Sequence, residues 1–170
     1  MTSVRLADYR PAPYLLSRTD LTVRLHDDHA VVEATLALAP NPMAEGPAPL
    51  PLAGVGLELE QLAIDGVPLD GNRYQRDAAG LTLNDPPQHP FVLSSRVRIA
   101  PHSNTSLEGL YVSGGLFTTQ CEAEGFRRIT FHPDRPDLLS RFRVRIEAER
   151  ASCPVLLSNG NCVESGDLGE

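Results

Sequence analysis

Leu21-Thr22-Val23-Arg24-Leu25, then His26-Asp27-Asp28-His29, then residues 30–39 decide how this chain folds. Leu21, Val23 and Leu25 alternate with Thr22 and Arg24, a period of two that puts one face of an extended segment in a core. The four polar residues that follow read as a turn. Residues 30–39, rich in Val and Leu, read as the returning strand of a hairpin.

The same period recurs outward from this hairpin. Residues 1–13 read as an irregular lead-in, because Pro11 and Pro13 interrupt both helix and central strand. Residues 40–51 hold five prolines and a glycine, a loop short enough to stay inside one domain. Residues 57–64 mix helix-favouring Leu, Glu and Gln, but Asp65-Gly66 and Val67 favour a hairpin, so the stretch reads as strand. Further strands are expected at Leu81-Thr82-Leu83, at residues 91–99, and at 141–148, where Phe142, Val144 and Ile146 alternate with Arg141, Arg143 and Arg145. Val155-Leu156-Leu157, Asn159-Gly160 and Val163 predict a last hairpin, and Pro136 opens one short helix with Asp137, Leu138 and Leu139. Many short strands between turn signals predict an all-β, mostly antiparallel domain with at most one short helix. The final Gly166-Asp167-Leu168-Gly169-Glu170 reads as a cut end.

Composition narrows the function. At 170 residues the chain is one domain's length, and a hydrophobic content of 41% supports a packed core. A net charge of -7 disfavours nucleic acid and anionic membranes as partners. All fifteen basic residues are Arg, scattered along the chain. Cys121, Cys153 and Cys162 are odd in number and lack ligand spacing, which suits free thiols in a reducing compartment. The first twenty residues carry five charges, no run approaches a membrane span, and a cytoplasmic location is expected.

The chemistry concentrates in residues 104–137. Carboxylates, an amide, arginines and glycines there interleave with apolar residues that should be buried. Polar groups near a core must be paired, so this run is either a structural network or a binding wall. The five histidines, His26, His29, His89, His102 and His132, include no pair four residues apart, so no helical zinc motif is present. His26 and His29 lie in a turn, where solvated polar residues are the ordinary outcome.

Residues 107–111 (Leu-Glu-Gly-Leu-Tyr), 120–127 (Gln-Cys-Glu-Ala-Glu-Gly-Phe-Arg) and 134–137 (Asp-Arg-Pro-Asp) resemble the signature of the bacterial branch of the aminopeptidase N family. Residues 8–14 and 156–161 resemble the same family in the same order, so the similarity spans essentially the whole chain. The resemblance implies a saddle-like N-terminal β-domain over residues 1–170, a single domain of a larger zinc aminopeptidase of gluzincin type. The catalytic and C-terminal domains of that enzyme would lie outside this chain. It implies peptide substrates with a free N-terminus, contact with the catalytic domain of the same polypeptide, Zn2+ in the parent enzyme and none bound by this segment. It further implies that Glu122 anchors the substrate's α-amine and that Gln120 is its hydrogen-bonding neighbour.

In an extended segment, residues two apart face the same side, so Gln120 and Glu122 are expected to meet one ammonium group. Glu124 shares that parity but is read as structural. Arg127 and Arg135 are expected to pair locally. Cys121 is expected on the opposite face, with neither a base nor a lowered pKa to make it a nucleophile. His132-Pro133 departs from the family's pattern, and the extra proline is expected to alter the local loop without touching Gln120 or Glu122. A rival reading treats the chain as a free-standing β-sandwich binding module without catalytic activity.

Overall fold

A computed structural model describes residues 6–169. Its strands are β1 (Tyr14–Leu25), β2 (Ala30–Pro40), β3 (Leu50–Ala53), β4 (Glu58–Ile64), β5 (Val67–Pro68), β6 (Tyr74–Arg76), β7 (Gly80–Leu83), β8 (Phe91–Ile99), β9 (Gly109–Ser113), β10 (Leu116–Gln120) and β11 (Arg141–Ala148). The first hairpin forms as its alternation predicts, with β1 extended back to Tyr14 and the proline-rich loop ending at Leu50. Six strands make one sheet in the order β11-β1-β2-β8-β4-β5, antiparallel except for the β1–β11 pair. A second sheet runs β3-β7-β6, and β9 with β10 forms a separate hairpin.

One core joins the two sheets. From the six-stranded sheet it takes Val32, Ala34, Leu36 and Leu38 of β2 and Phe91, Leu93, Val97 and Ile99 of β8. The second sheet contributes Leu50, Leu52, Leu81 and Leu83. Cross-strand partners Leu36 and Leu93, and Val32 and Val97, keep this face in register. A bulge between Leu16 and Arg18 changes the parity of β1, so Tyr14 and Leu16 point inward before it and Thr19 and Leu21 after it.

The other face of the large sheet is an ion ladder. Arg24 pairs with Glu33 and Glu147, each at 2.9 Å, while Arg96 reaches Glu33 at 2.5 Å and Glu60 at 2.7 Å. Arg98 adds Glu60 at 3.2 Å, and Arg145 adds Glu147 at 2.5 Å. Arginines scattered in sequence therefore converge in space, each matched by a carboxylate.

Three expectations change. The expected helix at residues 136–139 is instead a turn at 136–137, closed by the Leu138 N–H on the Arg135 carbonyl at 3.3 Å. Asp137 is held there by Arg135 and by the Tyr9 hydroxyl, which fixes the segment against the N-terminal lead-in. The helical pieces are short 3-10 turns at Leu6–Asp8, Pro101–Ser103 and Phe126–Arg128. The last hairpin is absent: Gly160 takes a positive φ of 86°, yet Val155, Leu157 and Val163 stay exposed with no sheet to join. Two strands alone are marginal in water. β11 forms where predicted, but as an edge strand whose Phe142 and Val144 remain exposed.

Leu36, 1% exposed at the centre of the sheet, sets the scale of the core. Leu36→Ala should destabilise the domain by about 2–5 kcal/mol, whereas Arg96→Ala on the ion ladder should cost less than about 1 kcal/mol. Denaturant unfolding monitored by circular dichroism distinguishes the two.

Candidate functional site

The polar run at residues 104–137 folds as one looped unit on the edge of the core. Asn104 shapes its entry: its Nδ2 donates to the carbonyls of Glu108 at 2.8 Å and Leu110 at 2.9 Å, and its Oδ1 accepts the Ser106 N–H at 3.2 Å. β9 and β10 then pair around Gly114-Gly115, and Gln120, opposite Gly109, is the last strand residue. The chain next turns over residues 122–125, closed by the Gly125 N–H on the Cys121 carbonyl at 2.9 Å. After the 3-10 turn, Ile129, Thr130 and Phe131 enter the core. The Ala53 N–H donates to the His132 carbonyl at 2.8 Å and the His132 N–H to the Ala53 carbonyl at 3.1 Å, tying the loop to β3.

The charges of this loop pair within it. Arg127 donates from Nε to Asp134 Oδ2 at 2.8 Å and lies 3.1 Å from Glu124. Arg128 meets Glu108 at 3.2 Å. Arg135 bonds Asp137 at 2.7 Å and the Arg10 carbonyl at 2.9 Å, and the Arg135 bond holds the Asp137 carboxyl down to about 2. The local pairing expected of Arg127 and Arg135, and the structural part expected of Glu124, are what the structure contains. Glu122 differs. It and Gln120 are exposed, and neither side chain has a hydrogen-bond or ion-pair partner among the described residues.

The strand-parity argument for these two residues does not hold. β10 ends at Gln120, and Glu122 belongs to the turn, where the Glu122–Ala123 peptide is cis. Glu122 is presented by the turn at the strand's end, not by alternation along a strand. Cys121, between them, packs partly into the core; burial, reinforced by the Asp134 charge, pushes its thiol up and away from nucleophilic use.

The burial of His132 escaped the sequence reading. The residue is 8% exposed, and neither ring nitrogen has a hydrogen-bond partner. Phe126 meets it edge-on at 4.7 Å and Phe142 stacks at 6.2 Å, so the ring serves as an aromatic spacer between the loop and β11. Its apolar neighbours Ile129 and Phe131 are the signal that could have revealed burial. Burial pushes the imidazole down to about 4, against an opposing pull from Asp134.

These residues do not fit a metal centre. His26 and His29 stack at 4.5 Å with Asp28 on His29 Nδ1 at 2.6 Å, but no group of three His, Cys, Asp or Glu that could hold an ion occurs among the described residues. No helix among them is long and apolar enough to cross a membrane.

Residues 50–170 match the peptidase M1 N-terminal domain family. The chain belongs to this family. An aminopeptidase N of Caulobacter vibrioides is 51% identical over 166 residues, covering 98% of this chain and 19% of its own length. An aminopeptidase N of Escherichia coli is 40% identical over 161 residues, covering 95% of this chain and 18% of its own. The crystal structure of Legionella pneumophila aminopeptidase A in complex with aspartic acid superposes with a TM-score of 0.90 at 32% identity, over 97% of this chain and 19% of that one. The all-β fold and the family resemblance drawn from the motifs are thereby established for this M1 N-terminal domain, which spans less than a fifth of those relatives' length.

The buried His132 generates a pH prediction. Its folded pKa of about 4 lies below the ordinary 6.5, so the unfolded chain binds the proton first as pH falls. Stability from this group is complete above about pH 6.5 and declines toward pH 4; at about 1.4 kcal/mol per pH unit, roughly 3 kcal/mol is lost. His132→Leu should flatten that part of the stability profile relative to the parent chain, read from melting temperatures across the range.

Proposed function

We propose that this chain is the N-terminal domain, residues 1–170, of a larger zinc-dependent aminopeptidase, and that it binds the free α-amine of the substrate through Glu122 and Gln120. One observation carries the reading. Within residues 104–137 the carboxylates Glu108, Glu124, Asp134 and Asp137 are each matched by an arginine, while Glu122 has no partner among the described residues. A carboxylate left exposed two residues after an equally free amide, at the end of a hairpin pinned to the core, is available to a cation from outside the domain.

The chemistry asked of it is modest. A carboxylate about 4 Å from an ammonium gains roughly 4 kcal/mol at an effective dielectric near 20, before desolvation is subtracted. That is enough to favour a free peptide N-terminus over an internal peptide bond. Gln120 adds a neutral hydrogen bond worth about 0.5–1.5 kcal/mol. Binding and orientation are this domain's part in the reaction. The zinc ion, which in the parent enzyme polarises the scissile carbonyl, would be held by residues of the catalytic domain.

The proposed neighbour in the same polypeptide accounts for other exposed features. β11 is an edge strand with Phe142 and Val144 open, and Val155, Leu157 and Val163 follow it, uncovered. Those surfaces and the greater length of the relatives argue against a free-standing binding module. Three unpaired cysteines support a reducing, cytoplasmic setting, and the net charge of -7 speaks against nucleic acid and anionic membrane partners.

Two measurements test this. The isolated segment, supplied with zinc and an alanine anilide, should give no turnover above buffer; metal-dependent hydrolysis would contradict the assignment. In the full-length enzyme, Glu122→Gln should lower kcat/KM on a free-amine substrate by about two orders of magnitude, because the lost contact is worth a few kcal/mol at about 1.4 kcal/mol per tenfold. Zinc content and folding should stay unchanged, and Gln120→Ala should cost less. Near-normal kcat/KM for Glu122→Gln would remove Glu122 from the pocket.

A further inference from the structure

We propose that Gly125 and Arg127 are positioning residues for Glu122, pressing the C-terminal end of the turn of residues 122–125 back onto the strand before it and tying it to the loop after it, so that backbone geometry alone aims the carboxylate. The proposal rests on the reading of Glu122 as the α-amine anchor. A side chain with no partner of its own is oriented only as well as the backbone beneath it.

Gly125 is buried against the β9–β10 hairpin. A Cβ built there would lie 2.5 Å from the Gln120 carbonyl oxygen, 2.9 Å from Cys121 Cα and 3.2 Å from the Gly109 nitrogen. All three are backbone atoms, so a methyl group cannot be absorbed by a side chain moving aside. Gly109 completes the contact: at φ +71° its own added Cβ would fall 2.5 Å from Arg128 Cβ and 3.1 Å from the Gly125 carbonyl oxygen. The two backbones can approach this closely only because neither carries a side chain. The turn is thus pressed directly onto the strand that presents Gln120.

Two residues beyond Gly125, Arg127 holds three points. Its Nε donates to Asp134 Oδ2 at 2.8 Å, its backbone N–H reaches the same oxygen at 3.2 Å, and its guanidinium lies 3.1 Å from Glu124 within the turn. Its carbonyl accepts the Val55 N–H at 2.9 Å, which ties the clamp to the loop after β3. Glu122 lies between Cys121, which Gly125 contacts, and Glu124, which Arg127 holds. Misplacing a reacting group by about 1 Å can cost on the order of a hundredfold in rate, so the clamp is needed for function beyond what it adds to stability.

The test is a double-mutant cycle in the full-length enzyme with an alanine anilide, with zinc content and melting temperature measured for each variant. Gly125→Ala should lower kcat/KM by roughly ten- to a hundredfold and, introduced into Glu122→Gln, should cost almost nothing more. Inhibition by alanine should weaken in Gly125→Ala, while inhibition by lactate, its α-hydroxy counterpart without the amine, should be unchanged; a general loss of structure would weaken both. Should Gly125→Ala fail to fold, Arg127→Lys, which keeps the charge but loses the fork joining Asp134 to Glu124, should give a smaller loss with the same dependence on Glu122. Losses that multiply in full with that of Glu122→Gln, or variants that keep normal kcat/KM, would overturn the clamp while leaving the anchor intact. A Glu122→Gln enzyme with normal kinetics would overturn the anchor itself, and the clamp with it.

Discussion

Burial of Phe131 is the interaction on which the rest of this structure depends. The ring is 1% exposed and belongs to the core shared by both sheets. It packs so closely on the backbone after β3 that a Cβ on Gly54 would fall 2.4 Å from its edge. Ile129 and Thr130 are buried beside it, and the paired hydrogen bonds of His132 and Ala53 follow directly. A loop rich in charge would otherwise be the mobile part of a β-domain. Here its middle is threaded through the core, so the exposed end carrying Glu122 starts from fixed ground.

The two faces of the large sheet divide stability from solubility. The inner face is aliphatic, and removal of its surface from water supplies the driving force for folding. The outer ladder of Arg24, Glu33, Arg96, Glu60, Arg98 and Glu147 is partly exposed at the surface, and surface pairs contribute little individually. Its use is to keep that face polar and each strand matched to its neighbour, since a slip of one residue would set arginine over apolar side chains. The apolar surface left open lies instead at the β11 edge and in the segment after it.

Most strands were legible because their burial is one-sided: Leu21, Val23 and Leu25, or Phe91, Leu93 and Val97, state the period themselves. The failures share a cause. Val155, Leu157 and Val163 carry strand-like residues but lack a sheet among the described residues to pair with, and the segment at Asp137 is set by the Tyr9 bond to Asp137 and the Arg135 bond to the Arg10 carbonyl, contacts more than a hundred residues apart in sequence. The parity argument placed Gln120 and Glu122 on one strand, although Gly125 in the same motif signals the turn that ends it. For His132, Ile129 and Phe131 hint at burial, but the Phe126 and Phe142 rings that enclose it meet only after folding.

The pairing pattern of the loop bears on selectivity as well as affinity. An unpaired carboxylate attracts any cation, including the arginines nearby, and a flexible loop would let Arg127 or Arg128 close onto Glu122. Asp134 and Glu124 occupy the first and Glu108 the second, each at hydrogen-bonding distance. Those partners therefore keep the competing arginines from Glu122, and their value is not captured by the small stability of exposed ion pairs. With Glu108, Glu124, Asp134 and Asp137 each in contact with an arginine, Glu122 is the one carboxylate of residues 104–137 without an arginine partner among the described residues, and the proposed pocket relies on that difference to tell an ammonium from a neutral amide.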